Sequence, residues 1–158
     1  MMSKFNLKGF LKAITEIILV IFQFLIISLH FIKLEFLHKI EITKGNSIFS
    51  LLGFIIIIIA SIIMLLAIKD LGNNLSPFPR PISNGSLITS GIYSFIRHPM
   101  YYSLILISLG VFIINLSLYY LCLTITLTLV IKFKIILEEK YLNKKFKNYL
   151  FYKDKVKY

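Results

Sequence analysis

Two short stretches hold almost all the polar chemistry of this sequence. The first runs from Leu87 to Tyr101 and ends in Arg97-His98-Pro99-Met100-Tyr101, directly before a long apolar run. The second, Lys134 to Tyr152, carries Lys134, Glu138 and Glu139. Pro99 suits the first position of a helix, where its missing N–H has no helical partner to lose. A helix that begins there turns the free amides around Met100 and Tyr101 back toward Arg97 and His98. A helix N-terminus beside an arginine is an anion site for a carboxylate or a phosphate. Gly91 lets the preceding loop turn tightly or lets a ligand approach the backbone. Lys134 and Glu138 lie one turn apart and share a helix face. Each stretch alone has a plain reading: Arg97 and His98 as a pair for lipid headgroups, Lys134 and Glu138 as an interfacial salt bridge. Together they supply an anion site and a carboxylate, as a ligand with both an α-carboxylate and an α-ammonium requires.

The elements that must position these groups are membrane helices. Of the 158 residues 58% are hydrophobic and only 16% charged, with a mean hydropathy of +0.84; an ordinary soluble domain has about 25% charged residues. The apolar residues come in long blocks, which predicts an all-α integral membrane protein of one domain over residues 1–158. About four transmembrane helices are expected: Ile14 to Phe31, Ile48 to Ile68, Met100 to Ile114 and Leu118 to Leu137. Residues 1–70 then hold two N-terminal spans and residues 71–158 a cofactor-binding half. Glu16, four residues after Lys12, reads as an interfacial pair with it. Lys33 to Gly45 is too polar to span and reads as an interfacial loop. Asn73 to Ser86 contains Pro77, Pro79 and Pro81, which forbid a helix and favour an extended strap. Asn115-Leu116-Ser117 breaks the last two spans into a hairpin. From Glu138 on, Leu142, Phe146, Tyr149 and Val156 recur at helical spacing opposite Lys140, Lys144 and Lys147, which predicts a basic amphipathic helix at the membrane interface. The N-terminal apolar run has no small-x-small cleavage site and is expected to be retained as a span.

The net charge is +11. The lysines flank apolar blocks and form no aromatic-interleaved patch, so a lipid bilayer with anionic headgroups is the expected partner and nucleic acid is not. With both termini cytosolic, the inner segments hold Lys4, Lys8, Lys12, Lys69, Arg80, Arg97 and every lysine from Lys132 onward, against Lys33, Lys39 and Lys44 outside. That bias puts the strap, the Arg-His-Pro stretch and Glu138-Glu139 on the cytosolic face. Cys122 sits in an apolar run as the single cysteine, so no internal disulfide forms. No metal is expected.

The pattern Leu87-Ile88-Thr89-x-Gly91-x-Tyr93-x₃-Arg97-His98-Pro99-x-Tyr101, followed by Glu138-Glu139-x₂-Leu142-x₃-Phe146-x₂-Tyr149-x₂-Tyr152, resembles the integral-membrane S-adenosylmethionine-dependent methyltransferases. These are the isoprenylcysteine carboxyl methyltransferase family, with phospholipid N-methyltransferases as relatives. The resemblance runs from about Leu71 to the C-terminus, and the strap Leu75-Ser76-Pro77-x-Pro79-x-Pro81 is similar to bacterial members, which implies a bacterial inner membrane. It implies S-adenosyl-L-methionine as cofactor, held by Gly85, Ser86, Leu87, Ile88, Tyr93, His98, Pro99, Met100, Tyr101 and Glu138, to which the anion-site reading adds Arg97. Lys134 falls where the family has a substrate-contacting arginine. Ser103 and Lys147 stand where glycine is usual.

The activity implied is direct methyl transfer to a lipophilic acceptor entering from the bilayer: an isoprenylcysteine-type carboxylate, or a phospholipid or small-molecule amine or hydroxyl. A carboxylate needs no base. An amine must lose a proton, for which Tyr101 and Glu139 are the nearby candidates, so Lys134, Tyr101 and Glu139 form the expected catalytic set. Two rivals share the pattern. NADPH-dependent membrane sterol or steroid reductases carry a similar Arg-His-Pro-x-Tyr element, usually with Asn at the position of Met100. A non-catalytic lipid-binding membrane protein would retain the site without using it.

Overall fold

The computed structural model describes residues 7–32 and 47–157. The loop expected over Lys33 to Gly45 lies outside the described residues, as does Lys4. Among the described residues five helices follow in order: α1 (Leu7–Leu29), α2 (Ser47–Leu71), α3 (Pro99–Asn115), α4 (Leu118–Lys145) and α5 (Tyr149–Lys155), with 3₁₀ turns at Gly72–Asn74 and Gly91–Ser94. The described residues contain no strand, in line with the all-α expectation. Three helices, α1, α2 and α4, are long and apolar enough to cross a membrane; α3 is apolar but has 17 residues.

Local signals place most boundaries. Pro99 is the first residue of α3. Gly72, with φ of 50°, follows the end of α2. Leu116 leaves α3 in the left-handed region (φ 42°), and the Ser117 side chain accepts the Tyr119 N–H to cap α4. Hydropathy misplaces other ends. Lysine is a good helix former, so α1 begins seven residues before Ile14 and takes in Lys12.

The amphipathic helix expected from Glu138 onward is corrected in two ways. Glu138 to Lys145 continues α4, because Glu, Lys and Leu favour propagation, and the break comes at Phe146, which is extended (φ −116°, ψ 114°). The separate helix, α5, has seven residues. Its apolar face packs inward: Tyr149, Tyr152 and Val156 are buried against Leu87, Leu142 and Phe146. The face marked by the helical spacing packs on protein, while Leu150 and Phe151 of the same helix are exposed.

Helices α2 and α3 meet at backbone distance. A Cβ added at Gly53 would lie 2.6 Å from the Ile114 side chain and 2.7 Å from the Gly110 carbonyl, and one at Gly110 would lie 2.9 Å from the Gly53 carbonyl. Gly53, Ala60 and Ala67, seven residues apart, are the buried positions of α2. Lipid gives apolar side chains no reason to prefer each other, so close packing through small residues is what joins membrane helices.

Helix α1 is joined instead by polar groups. Glu16, Gln23 and His30 are also spaced by seven, two helical turns, on one face. Arg80 donates to Glu16 at 3.0 Å and the Tyr141 hydroxyl donates to the same carboxylate. Lys134 donates to Gln23. His30 pairs with Ser108 at 2.7 Å, and Ser108 with Thr124 at 2.8 Å. The expected Lys12–Glu16 pair is therefore corrected: Glu16 is 5% exposed and faces the strap and α4. Between these contacts Ile26 packs into the core of Tyr120, Leu123, Leu127, Val130 and Ile131 on α4.

Gly91 joins the strap to α2. It has φ of 62°, and the Asp70 carboxylate, which accepts the Ile92 N–H at 2.7 Å, would lie 1.9 Å from an added Cβ. Gly91 is thus required for a turn against Asp70.

Two stability predictions follow from these contacts, each read by thermal unfolding of detergent-solubilised protein. Gly53→Leu and Gly110→Leu each destabilise by about 1–3 kcal/mol through overpacking. The double variant loses less than their sum, because either change alone already parts the helices; full additivity would show that the two glycines do not face each other. Gly72→Ala costs about 1–2 kcal/mol for its left-handed backbone. Gly91→Ala costs more, since nothing lies within 4 Å of an added Cβ at Gly72; equal losses would mean that Asp70 does not close on Gly91.

Candidate functional site

The polar ends of several elements converge at one end of the bundle. The C-terminus of α2, the strap, the Gly91–Ser94 turn, the N-terminus of α3, the last turns of α4 and α5 surround two adjoining cavities. Leu71, Ser76, Tyr93, Arg97, His98 and Glu138 line both. Gly85, Ser86, Leu87 and Ile88 line the first, and Met100 and Tyr101 the second. Pro99 lines neither: it is buried at the head of α3, where it sets the helix start.

The strap is held in shape by Asn74, whose side chain donates to the Leu71 carbonyl at 3.2 Å and accepts the Ser86 N–H at 2.9 Å. Asn74 Oδ1 would lie 2.6 Å from a Cβ at Gly85. Gly85 therefore admits Asn74 and brings the next residues to the cavity edge.

The adjacent glutamates have different surroundings. Glu139 gathers three basic groups: Arg97 at 3.1 Å, His98 Nε2 at 3.4 Å and Lys153 at 2.7 Å. Arg97 also donates to the carbonyls of Lys153 and Val156, at 3.1 and 3.0 Å, and so closes the end of α5, where a cation is favoured. Glu138, one residue earlier on α4, lines the cavities, with the Tyr101 hydroxyl beside its carboxylate. His98 is buried and stacks on Tyr101, ring centroids 5.8 Å apart.

Lys134 is buried and lines neither cavity. Its ammonium donates to Gln23 and to the Pro77 carbonyl at 2.8 Å and lies 5.3 Å over the Tyr101 ring. The expected catalytic set is thus brought to one end of the fold but separated by role. Tyr101 faces the cavity, Lys134 supports Tyr101 from behind, and Glu139 is enclosed by its basic partners.

Several lining residues were not singled out as site residues from sequence, among them Asn74, Arg80, Tyr149 and Tyr152. Asn74 and Arg80 gave no local signal, since Asn and Arg in a proline-containing loop are unremarkable. Tyr149, with Tyr152, lies in the C-terminal motif, but its spacing suggested only a helix face. Tyr152 donates to the Tyr93 carbonyl at 2.6 Å. Burial pushes the phenols of Tyr93, Tyr149 and Tyr152 up, Tyr152 to about 12, so all three stay protonated. The Tyr149 hydroxyl and the Arg97 Nε are buried without a partner among the described residues. Such orphans are costly. Arg97 and Tyr149 line the first cavity together with Glu138. A lining with a basic residue, a phenol and a carboxylate fits a group that carries one carboxylate and one ammonium, as S-adenosylmethionine does.

Comparison with curated proteins returned no match. A family model described as phospholipid methyltransferase matches residues 48–149, more than half of the chain. The matched segment runs from α2 to the first residue of α5 and contains the strap, the Arg97-His98-Pro99 element and both glutamates. With its apolar helices and this match, the chain belongs to the phospholipid methyltransferase family, a family of membrane methyltransferases.

Proposed function

We propose that the protein transfers a methyl group from S-adenosylmethionine to a lipophilic acceptor that reaches the site from the bilayer, and that the acceptor is the amine headgroup of a phospholipid. One observation carries this reading: Glu138 faces the same cavity as the Arg97-His98 element at the head of α3. The cofactor, when bound, supplies a methyl group on a sulfonium, electrophilic enough for direct displacement. The residues proposed to hold it are Gly85, Ser86, Leu87 and Ile88 along the strap, Tyr93, Arg97, His98, Met100 and Tyr101 on the opposite wall, and Glu138 at the ammonium end. Pro99 acts by fixing where α3 starts. Orientation of the two reactants and exclusion of water then account for most of the rate.

Two features support an amine acceptor over a carboxylate. Arg80, the cavity arginine not assigned to the cofactor, already pairs with Glu16. A carboxylate acceptor would also meet the Glu138 charge. An ammonium headgroup must lose a proton before it attacks. The Tyr101 hydroxyl, beside the Glu138 carboxylate, is the group proposed to accept it, its own proton passing to Glu138. Lys134 positions Tyr101, and Glu139 positions Arg97 and His98. The excess of lysine and arginine at the site end supports a cytosolic site in a multi-pass protein.

The test of the cofactor is equilibrium binding to purified full-length protein. Glu138→Gln is expected to weaken S-adenosylmethionine binding by about tenfold or more, the worth of a charged hydrogen bond, with little change in thermal stability. Glu139→Gln is expected to lower affinity and stability together, because it releases α5. Binding of NADPH with no S-adenosylmethionine binding would end the reading in favour of a reductase; unchanged affinity in both variants would make the site structural. For the acceptor, membranes incubated with methyl-labelled S-adenosylmethionine are expected to carry label in the lipid fraction that mild base does not release as methanol. Release as methanol would identify a methyl ester and a carboxylate acceptor.

A further inference from the structure

On the far side of α5 a wider groove opens away from the site. Its rim carries Lys145, Lys147 and Lys155, with Thr89, Asn148 and Phe151 between them. None of the three lysines has an acidic partner among the described residues: Lys145 donates to the Ile82 carbonyl and lies over the Phe146 ring, while the nearby Lys153 is taken by Glu139. Asp154, the acid between Lys153 and Lys155, does not line the groove. Three like charges around one concavity raise its potential and favour an anion there. The anion must also suit exposed apolar surface. Phe151 is 76% exposed and its neighbour Leu150 56%. Lys145 is the last residue of a helix long and apolar enough to cross a membrane, so the groove lies at the end of that helix.

From these features we propose that the groove binds the headgroup phosphate of an anionic phospholipid. The ammonium groups of Lys147 and Lys155, with Lys145 at the edge, hold the phosphate oxygens, and Thr89 and Asn148 offer neutral hydrogen bonds. Phe151 lies against the glycerol and the first acyl carbons. The apolar residues beside the charges select a lipid over free phosphate. The groove shares Leu87, Phe146 and Tyr152 with the first cavity but has its own basic rim, and the proposal does not depend on the cofactor assigned above.

Binding of a fluorescent phosphatidylglycerol to the full-length protein in neutral detergent micelles tests the proposal. The Lys147→Ala/Lys155→Ala protein is expected to bind it about tenfold or more weaker. Lys147→Arg/Lys155→Arg is expected to bind like the parent. Lys140→Ala/Lys144→Ala, which removes the same charge from α4 outside the groove, is expected to change binding by about threefold at most. Unlabelled phosphatidylglycerol should displace the probe, and phosphatidylcholine or millimolar inorganic phosphate should not. Equal losses in the two alanine pairs would reduce the effect to diffuse surface charge and overturn the proposal. Loss in the arginine pair, or displacement by inorganic phosphate or phosphatidylcholine, would overturn it as well.

Discussion

Lys134 sits where four parts of the chain meet. Its ammonium donates to Gln23 of α1 and to the Pro77 carbonyl of the strap, and rests over Tyr101 of α3, while its stem belongs to α4. A cation buried inside a membrane protein is tolerated only with partners, and those partners come from three separate parts of the chain. The strap has no secondary structure to hold it, and α1 meets the rest of the bundle chiefly through α4. Lys134 therefore ties the strap at Pro77 to α1, α3 and α4, alongside the anchors at Asn74 and Arg80.

The same economy separates the two glutamates. A shift of one residue along a helix rotates a side chain by about a quarter turn. Glu138 is thereby aimed into the cavities, while Glu139 is aimed at Arg97, His98 and Lys153. The first is open to a ligand; the second ties the head of α3 to α5. Two identical residues in sequence thus serve binding and architecture, and the His98 ring, held by Glu139 and stacked on Tyr101, connects them.

Much of the site end was legible because its signals are local. Pro99 starts α3, the alternate prolines keep the strap out of a helix, and Asn115-Leu116-Ser117 ends one helix and begins the next. What was not legible depends on distant partners. Periodicity marks Tyr149 and Val156 as one face of a helix, but not that Leu87 and Leu142 cover it. Gly91 is visibly a special residue, yet only the fold brings Asp70 against it. Glu16, Gln23 and His30 stand at a regular spacing of seven, a polar stripe on an apolar helix. Their partners are Arg80, Lys134 and Ser108, in the second half of the chain. No window of sequence contains both members of any of these pairs.

That stripe has a consequence for how the molecule is made. Chains emerge N-terminus first, so α1 enters the bilayer when none of its three partners has been synthesised. Glu16, Gln23 and His30 must wait in or near the hydrocarbon without the groups that later satisfy them, a state that becomes comfortable only as the strap, α3 and α4 arrive in turn. The polar stripe of α1 is thus satisfied by groups made after it, on the strap, α3 and α4.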